Sequence, residues 1–113
     1  METLRIVLAC RARSLALILR DLVDGQPDMA VVGEVRTLSR LPTALTSLGA
    51  QAVILAFPAP ETAQTICTLR ITYPSLMILG LSPQSDRAVI CRPGTAARPV
   101  EMSAAGLVRA LRA

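Results

Sequence analysis

Four near-continuous apolar runs alternate with segments of helical period, and this alternation restricts the fold more than any other feature of the chain. The runs are Leu4–Ala9, Met29–Val35, Ala52–Phe57 and Leu76–Leu81. Strands that are apolar along their whole length are buried on both faces, which calls for a parallel sheet with helices on either side. Helix one is expected over Ser14–Asp24, with Ser14 as its N-cap and Gly25 just past its end. Leu15, Ile18, Leu19 and Leu22 make its core stripe, leaving Leu17 and Val23 off that stripe. Helix two is expected over Leu38–Leu48, with Leu41, Leu45 and Leu48 on one face, Pro42 in the first turn and Gly49 as its stop. Helix three opens at Pro60-Glu61, a proline and an acid suited to an N-terminus, and ends before Pro74. No linker or internal repeat interrupts the order βαβαβαβ, so residues 1–113 read as one domain.

The pattern breaks after Leu81. Only Ser82-Pro-Gln-Ser-Asp-Arg87 separates strand four from the next apolar run, Ala88–Arg92. A parallel crossover usually takes a dozen or more residues and often a helix. Two arrangements are open. In one the crossover helix is missing, an extended loop makes the return, and strand five is Ala88–Arg92. In the other Gln84–Arg92 is a short helix and strand five falls near Ala97–Val100. The strand-like Val89-Ile90-Cys91 and the stop signal Pro93-Gly94 favour the first. A last helix over Met102–Arg112, with Ala104, Leu107, Val108 and Leu111 inward, closes the chain.

Composition removes several kinds of chemistry. All twelve basic residues are Arg, with no Lys and no His. There is thus no imidazole base, no Schiff-base or P-loop lysine and no histidine metal ligand. The net charge of +4 is spread from Arg5 to Arg112 without a cluster, and Phe57 and Tyr73 are the only aromatics. Direct nucleic-acid binding is not expected from so dilute a pattern. Cys10, Cys67 and Cys91 show no CxxC spacing and read as reduced thiols. No apolar stretch approaches the length of a membrane span and no signal-peptide pattern opens the chain, so a cytoplasmic protein without membrane contact is expected. Apolar residues reach 52%, enough to leave some apolar surface for a protein partner.

Open α/β sheets place their sites beyond the carboxyl ends of the strands. Here strand one gives out on Cys10-Arg11, strand three on Ala56-Phe57-Pro58 and strand four on Ser82-Pro83, with no Asp or Glu at any of them. These residues carry a resemblance. Leu4-Arg-Ile-Val-Leu-Ala9, Gln26-Pro-Asp-Met-Ala-Val-Val-Gly-Glu34 and Gln51–Pro60 resemble the first, second ("pDxxVVGEA") and third ("DVVLLDLxMP") strands of response-regulator receiver domains. These are the phosphoacceptor modules of bacterial two-component signalling, and the nearest are those that precede helix-turn-helix outputs. The second strand is the most specific match, and the likeness covers Leu4 to about Ser82. It implies a flavodoxin-like three-layer α/β sandwich, with a five-stranded parallel sheet in the order 2-1-3-4-5 and the fourth helix shortened or absent.

Laid over that family's pattern, the acidic pair that holds Mg²⁺ falls on Cys10 and Arg11, and the phosphoacceptor Asp falls on Ala56. The switch Ser/Thr falls on Ser82, the strand-five Lys on Arg92 and the switch aromatic on Val89. Phosphoryl transfer to an aspartate needs a carboxylate nucleophile and a divalent metal, so enzymatic activity, a metal and a cofactor are not expected. Arg11 either takes the vacated metal space or points to solvent. Cys10 is an inert buried residue or a thiol tuned by Arg11, and Ser82 is a switch remnant or an ordinary turn residue. The resemblance implies a degenerate, phosphorylation-independent receiver that serves as a protein–protein interaction or homodimerisation module, with Leu17, Val23 and Val89 as candidate interface residues. Two other readings stay open. One is the regulatory domain of a DNA-binding transcription factor whose output lies beyond this chain, since the chain ends where a linker would begin. The other is a small-ligand sensor using the pocket between Ala56 and Ser82.

Overall fold

Apolar runs too long to be half-exposed demand cover on both sides, and the helices between them supply it. The structure is a computed structural model, and it describes residues 3–82, 84 and 86–112. The elements run β1 (Leu4–Cys10), α1 (Arg13–Asp24), β2 (Met29–Val35), a 3-10 turn (Leu38–Arg40) continuous with α2 (Leu41–Ser47), β3 (Ala52–Ala56), α3 (Ala59–Thr72), β4 (Met77–Ser82), β5 (Arg87–Cys91), β6 (Arg98–Val100) and α4 (Ala104–Arg112). One sheet holds the strands in the order β2-β1-β3-β4-β5-β6.

Successive side chains of a strand point to opposite faces, so each strand feeds two cores. Ile6, Leu8, Ile54, Leu79 and Leu81 pack under α1 and α4 with Leu19, Val23, Leu107 and Leu111. Val7, Ala9, Val53, Leu55 and Ile78 pack under α2 and α3 with Leu41, Leu45 and Leu69. Each such large aliphatic side chain, fully buried, contributes about 1.5–3 kcal/mol.

The sheet departs from the expected five parallel strands. β1 pairs parallel with β2 and β3, and β3 with β4, but β4–β5 and β5–β6 are antiparallel. The physical reason is length. Residues 83–86 are too few for a parallel crossover and suffice for a hairpin. Both segments weighed for strand five are therefore strands, Arg87–Cys91 and Arg98–Val100, and the helix over Gln84–Arg92 does not form among the described residues. Asp86 turns this hairpin at φ +53°, a left-handed conformation that Asp tolerates better than most residues. Pro83, expected at the end of strand four, lies outside the described residues.

Four local expectations also change. Ala12, not Ser14, precedes α1, and it makes no side-chain cap; Gly25 follows the helix at φ −71°, so it needs no left-handed freedom there. In α1 the buried residues are Ala16, Leu19 and Val23, with Leu15 and Leu22 half-buried and Ile18 exposed. The buried stripe is thus Ala16, Leu19 and Val23, which lie at i, i+3 and i+7 and pack on Ile6, Leu8 and Ile54, a face on which the small Ala16 replaces the expected Ile18. Leu48 lies outside α2 and is partly exposed, covering Gly33, where a Cβ would collide with its Cδ1. Ala104 opens α4 on the exposed side.

Several residues of the second-strand motif have structural work. Asp28 accepts two hydrogen bonds from Arg112 of α4, at 2.9 and 3.0 Å, and Gln26 accepts a third at 2.7 Å. This planar fork fits a carboxylate well and ties the end of the chain to the entry of β2. The same contact holds the Asp28 carboxyl below its ordinary pKa.

Candidate functional site

Parallel pairing brings the carboxyl ends of β1, β3 and β4 to one edge, where Cys10 stands beside Ala56 and Ala56 beside Leu81. Cys10 has no exposed surface, and its Sγ–H donates to the Ala12 carbonyl at 3.3 Å. Burial raises the thiol's pKa, against a smaller lowering by that bond. The group is a neutral thiol near pH 7 and a poor nucleophile. Ala56, buried at the end of β3, presents a methyl group.

Arg11 leaves this edge for solvent. Its Nη2 donates to Glu61 Oε2 at 2.8 Å, and its guanidinium carbon lies 5.3 Å from the centroid of the Phe57 ring. It covers Phe57, which is almost completely buried. The turn after Ala56 is pinned from below by Thr62, whose hydroxyl donates to the Phe57 carbonyl at 2.9 Å and accepts from the Phe57 N–H at 3.2 Å. Sequence reasoning passed over Glu61 in this role and Thr62 altogether. An acid and a hydroxyl in the first turn of a helix were the available signals, and their long-range partners were not.

Mg²⁺ does not fit this donor set. The ion takes hard oxygen ligands in octahedral geometry. The edge offers a neutral thiol, a methyl and a guanidinium, while the nearby Glu61 is held by Arg11. Among the described residues no group of three or more His, Cys, Asp or Glu is placed to hold a metal.

The other expected pocket residues separate. Ser82 ends β4 opposite Arg87 and lines a groove of about 400 Å³ formed with Thr62, Ala63, Ile66 and Val89, whereas Ala56 lines a recess of about 490 Å³ with Arg11, Leu15, Ile18 and Phe57. The single cavity expected between Ala56 and Ser82 is therefore two. Arg92 does not reach either. Because β5 runs antiparallel, Cys91 pairs with Ile78 near the start of β4, and Arg92 follows it at the opposite end of the sheet, where it donates to the Ala110 carbonyl. Reversal of one strand exchanges the two ends, and Arg87 takes the position beside Ser82. Among the candidate interface residues Leu17 is exposed and Val89 is half-buried in the groove, but Val23 is buried in the core under α1 and is unavailable to a partner. Ile18, assigned to the core by its spacing, is the exposed neighbour of Leu17 instead.

No family model and no curated protein matches the chain. Solved structures do. The RcsB response regulator of Salmonella typhimurium, from work on conformational dynamism for DNA interaction, superposes with a TM-score of 0.64 at 22% identity over 73% of this chain and 44% of that one. The isolated REC domain of RcsB from Salmonella enterica serovar Typhimurium, in the presence of the phosphomimetic BeF3⁻, gives 0.64 at 21% identity, over 72% of this chain and 62% of that one. RcsB bound to promoter rprA gives 0.65 at 20% identity, over 72% and 43%.

The fold is that of a receiver domain. At these identities the likeness is one of fold, and the chain spans less than two thirds of each of those proteins. Among the described residues the receiver fold here carries four α-helices and a six-stranded, partly antiparallel sheet. No helix among the described residues is long and apolar enough to cross a membrane.

Proposed function

We propose that the chain is a degenerate receiver domain: a phosphorylation-independent protein–protein interaction module in bacterial signalling, with no catalysis of its own. The observation that carries this reading is the edge where Cys10 meets Ala56. A receiver-type fold keeps its shape there while the side chains at the strand ends supply neither a carboxylate nucleophile nor a hard-oxygen cradle for a divalent ion. The ion pair of Arg11 with Glu61 spans the same edge and links β1 to α3 without a metal. A fold retained after its chemistry is lost keeps one use, the presentation of surfaces.

The experiment is intact-mass measurement of the full chain after incubation with acetyl phosphate and Mg²⁺. The expected result is no added phosphate. The Ala56→Asp variant is expected to stay unlabelled too, because the end of β1 still offers no acid for a metal: Cys10 is a buried thiol and Arg11 turns to solvent and pairs with Glu61. Acid-labile, hydroxylamine-sensitive phosphate on the unaltered chain contradicts the reading. A role as the regulatory part of a DNA-binding regulator is the second reading, favoured by the fold likeness to RcsB, one of whose structures is bound to a promoter.

A further inference from the structure

The outward face of α1 carries charges set against the helix's own dipole. Arg13 is the first residue of the helix and Asp24 the last, with Asp21 in the same last turn; the first turn holds no acid and the last no base. A helix favours anions at its N-terminus and cations at its C-terminus, so all three charges sit at the end that suits them least. Arg20 of the same helix is paired with Glu34, but Arg13, Asp21 and Asp24 have no ion-pair partner among the described residues. Between these charges Leu17 and Ile18 are 56% and 64% exposed. Residues four apart lie on one face of a helix, so Arg13, Leu17 and Asp21 form a single row.

We propose that this row is the contact of an isologous dimer, in which α1 packs antiparallel against α1 of a second copy about a two-fold axis at Leu17. The inference rests on the interaction-module reading and names its partner. Arg13 and Asp21 each lie four residues from Leu17, about 6 Å along the helix axis in opposite directions. The two-fold therefore sets Arg13 of each copy beside Asp21 of the other, twice. It also brings each Arg13 to the negative end of the neighbouring helix and each Asp24 to the positive end, so the unfavourable placements in the monomer become favourable in the pair. Leu17 and Ile18 leave water at the centre. An apolar groove of about 540 Å³ between α1 and α4, lined by Leu22, Ala105 and Val108, continues the surface to one side. The row holds both signs in an order complementary to itself, and a partner of one sign leaves half of it unmatched. The occupant it fits is a second copy of this chain.

Sedimentation velocity of the full chain over a concentration series tests this. The unaltered chain is expected to show a monomer–dimer equilibrium that weakens with salt. Leu17→Glu is expected to raise the dissociation constant at least about tenfold, as is Arg13→Asp or Asp21→Arg alone, since each reversal sets like charges together twice. An equimolar mixture of Arg13→Asp and Asp21→Arg chains is expected to dimerise again, and so is the double variant. All three positions are exposed, and circular dichroism with thermal melting checks that each variant folds. Should a reversal impair folding, the neutral Arg13→Gln and Asp21→Asn variants are expected to weaken the dimer less, without repulsion. A chain that stays monomeric at high concentration overturns the proposal, as does a dimer indifferent to Leu17→Glu or a mixture that fails to recover. Phosphate labelling keeps the two ideas apart: a monomer that takes up no phosphate overturns the dimer alone, whereas uptake overturns the reading beneath it.

Discussion

Burial decides what the cysteines of this chain do. Cys10 and Cys91 lie in the two cores, and in both the thiol pKa is raised chiefly by desolvation. A raised value means that the folded chain holds these protons more tightly than the unfolded chain. Both states are protonated below the ordinary value of about 9.0, so the stability this provides is fully present there. As pH rises through that value the unfolded chain ionises first and the advantage is lost. Urea denaturation under reducing conditions is therefore expected to show stability falling above about pH 9, and Cys10→Ala together with Cys91→Ala is expected to flatten the fall. A slope that is unchanged in the double variant contradicts the assignment.

At the scale of elements, the hairpin after β4 is the feature that sets this molecule apart. Its turn depends on Asp86 at φ +53°. A β-branched residue there is strained by about 1–2 kcal/mol, while Gly adopts the conformation freely at some entropic cost. Asp86→Val is thus expected to lower the unfolding free energy by about 1–2 kcal/mol, and Asp86→Gly to stay within ~0.5 kcal/mol of the parent. Equal effects of the two contradict the turn geometry. The first four strands and three helices were legible in the sequence because each apolar run must be buried on both faces and each helix has its own period. The direction of β5 was not, although the brevity of the segment after Leu81 argued against an ordinary crossover. Chain reversal depends on how β5 and β6 pair, and Val89-Ile90-Cys91 reads alike in either direction. The same limit explains the misplacing of Arg92, whose assignment assumed a parallel strand. Ile18 and Val23 exchanged core and surface because two apolar faces of α1 have helical spacing, and the one that packs on the sheet runs through the small Ala16 with Leu19 and Val23.

Across the whole molecule, the proposed absence of phosphoryl chemistry rests on two features of the sheet. Cys10, Arg11 and Ala56 stand at the strand ends, and antiparallel β5 places Arg92 at the far end of the sheet. Cys10 and Ala56 offer neither a carboxylate nor a hard-oxygen cradle, and the cation beside Ser82 is Arg87 rather than Arg92. The row Arg13, Leu17 and Asp21 lies on the exposed face of α1, and the neighbouring Ile18 borders the recess lined by Arg11 and Ala56. The most direct test of that central claim is a titration of the full chain with BeF3⁻ and Mg²⁺, followed by backbone amide chemical shifts. The account predicts no saturable shift at Cys10, Arg11, Ala56, Phe57 or Ser82. Saturable shifts centred on those residues, dependent on both components, contradict it.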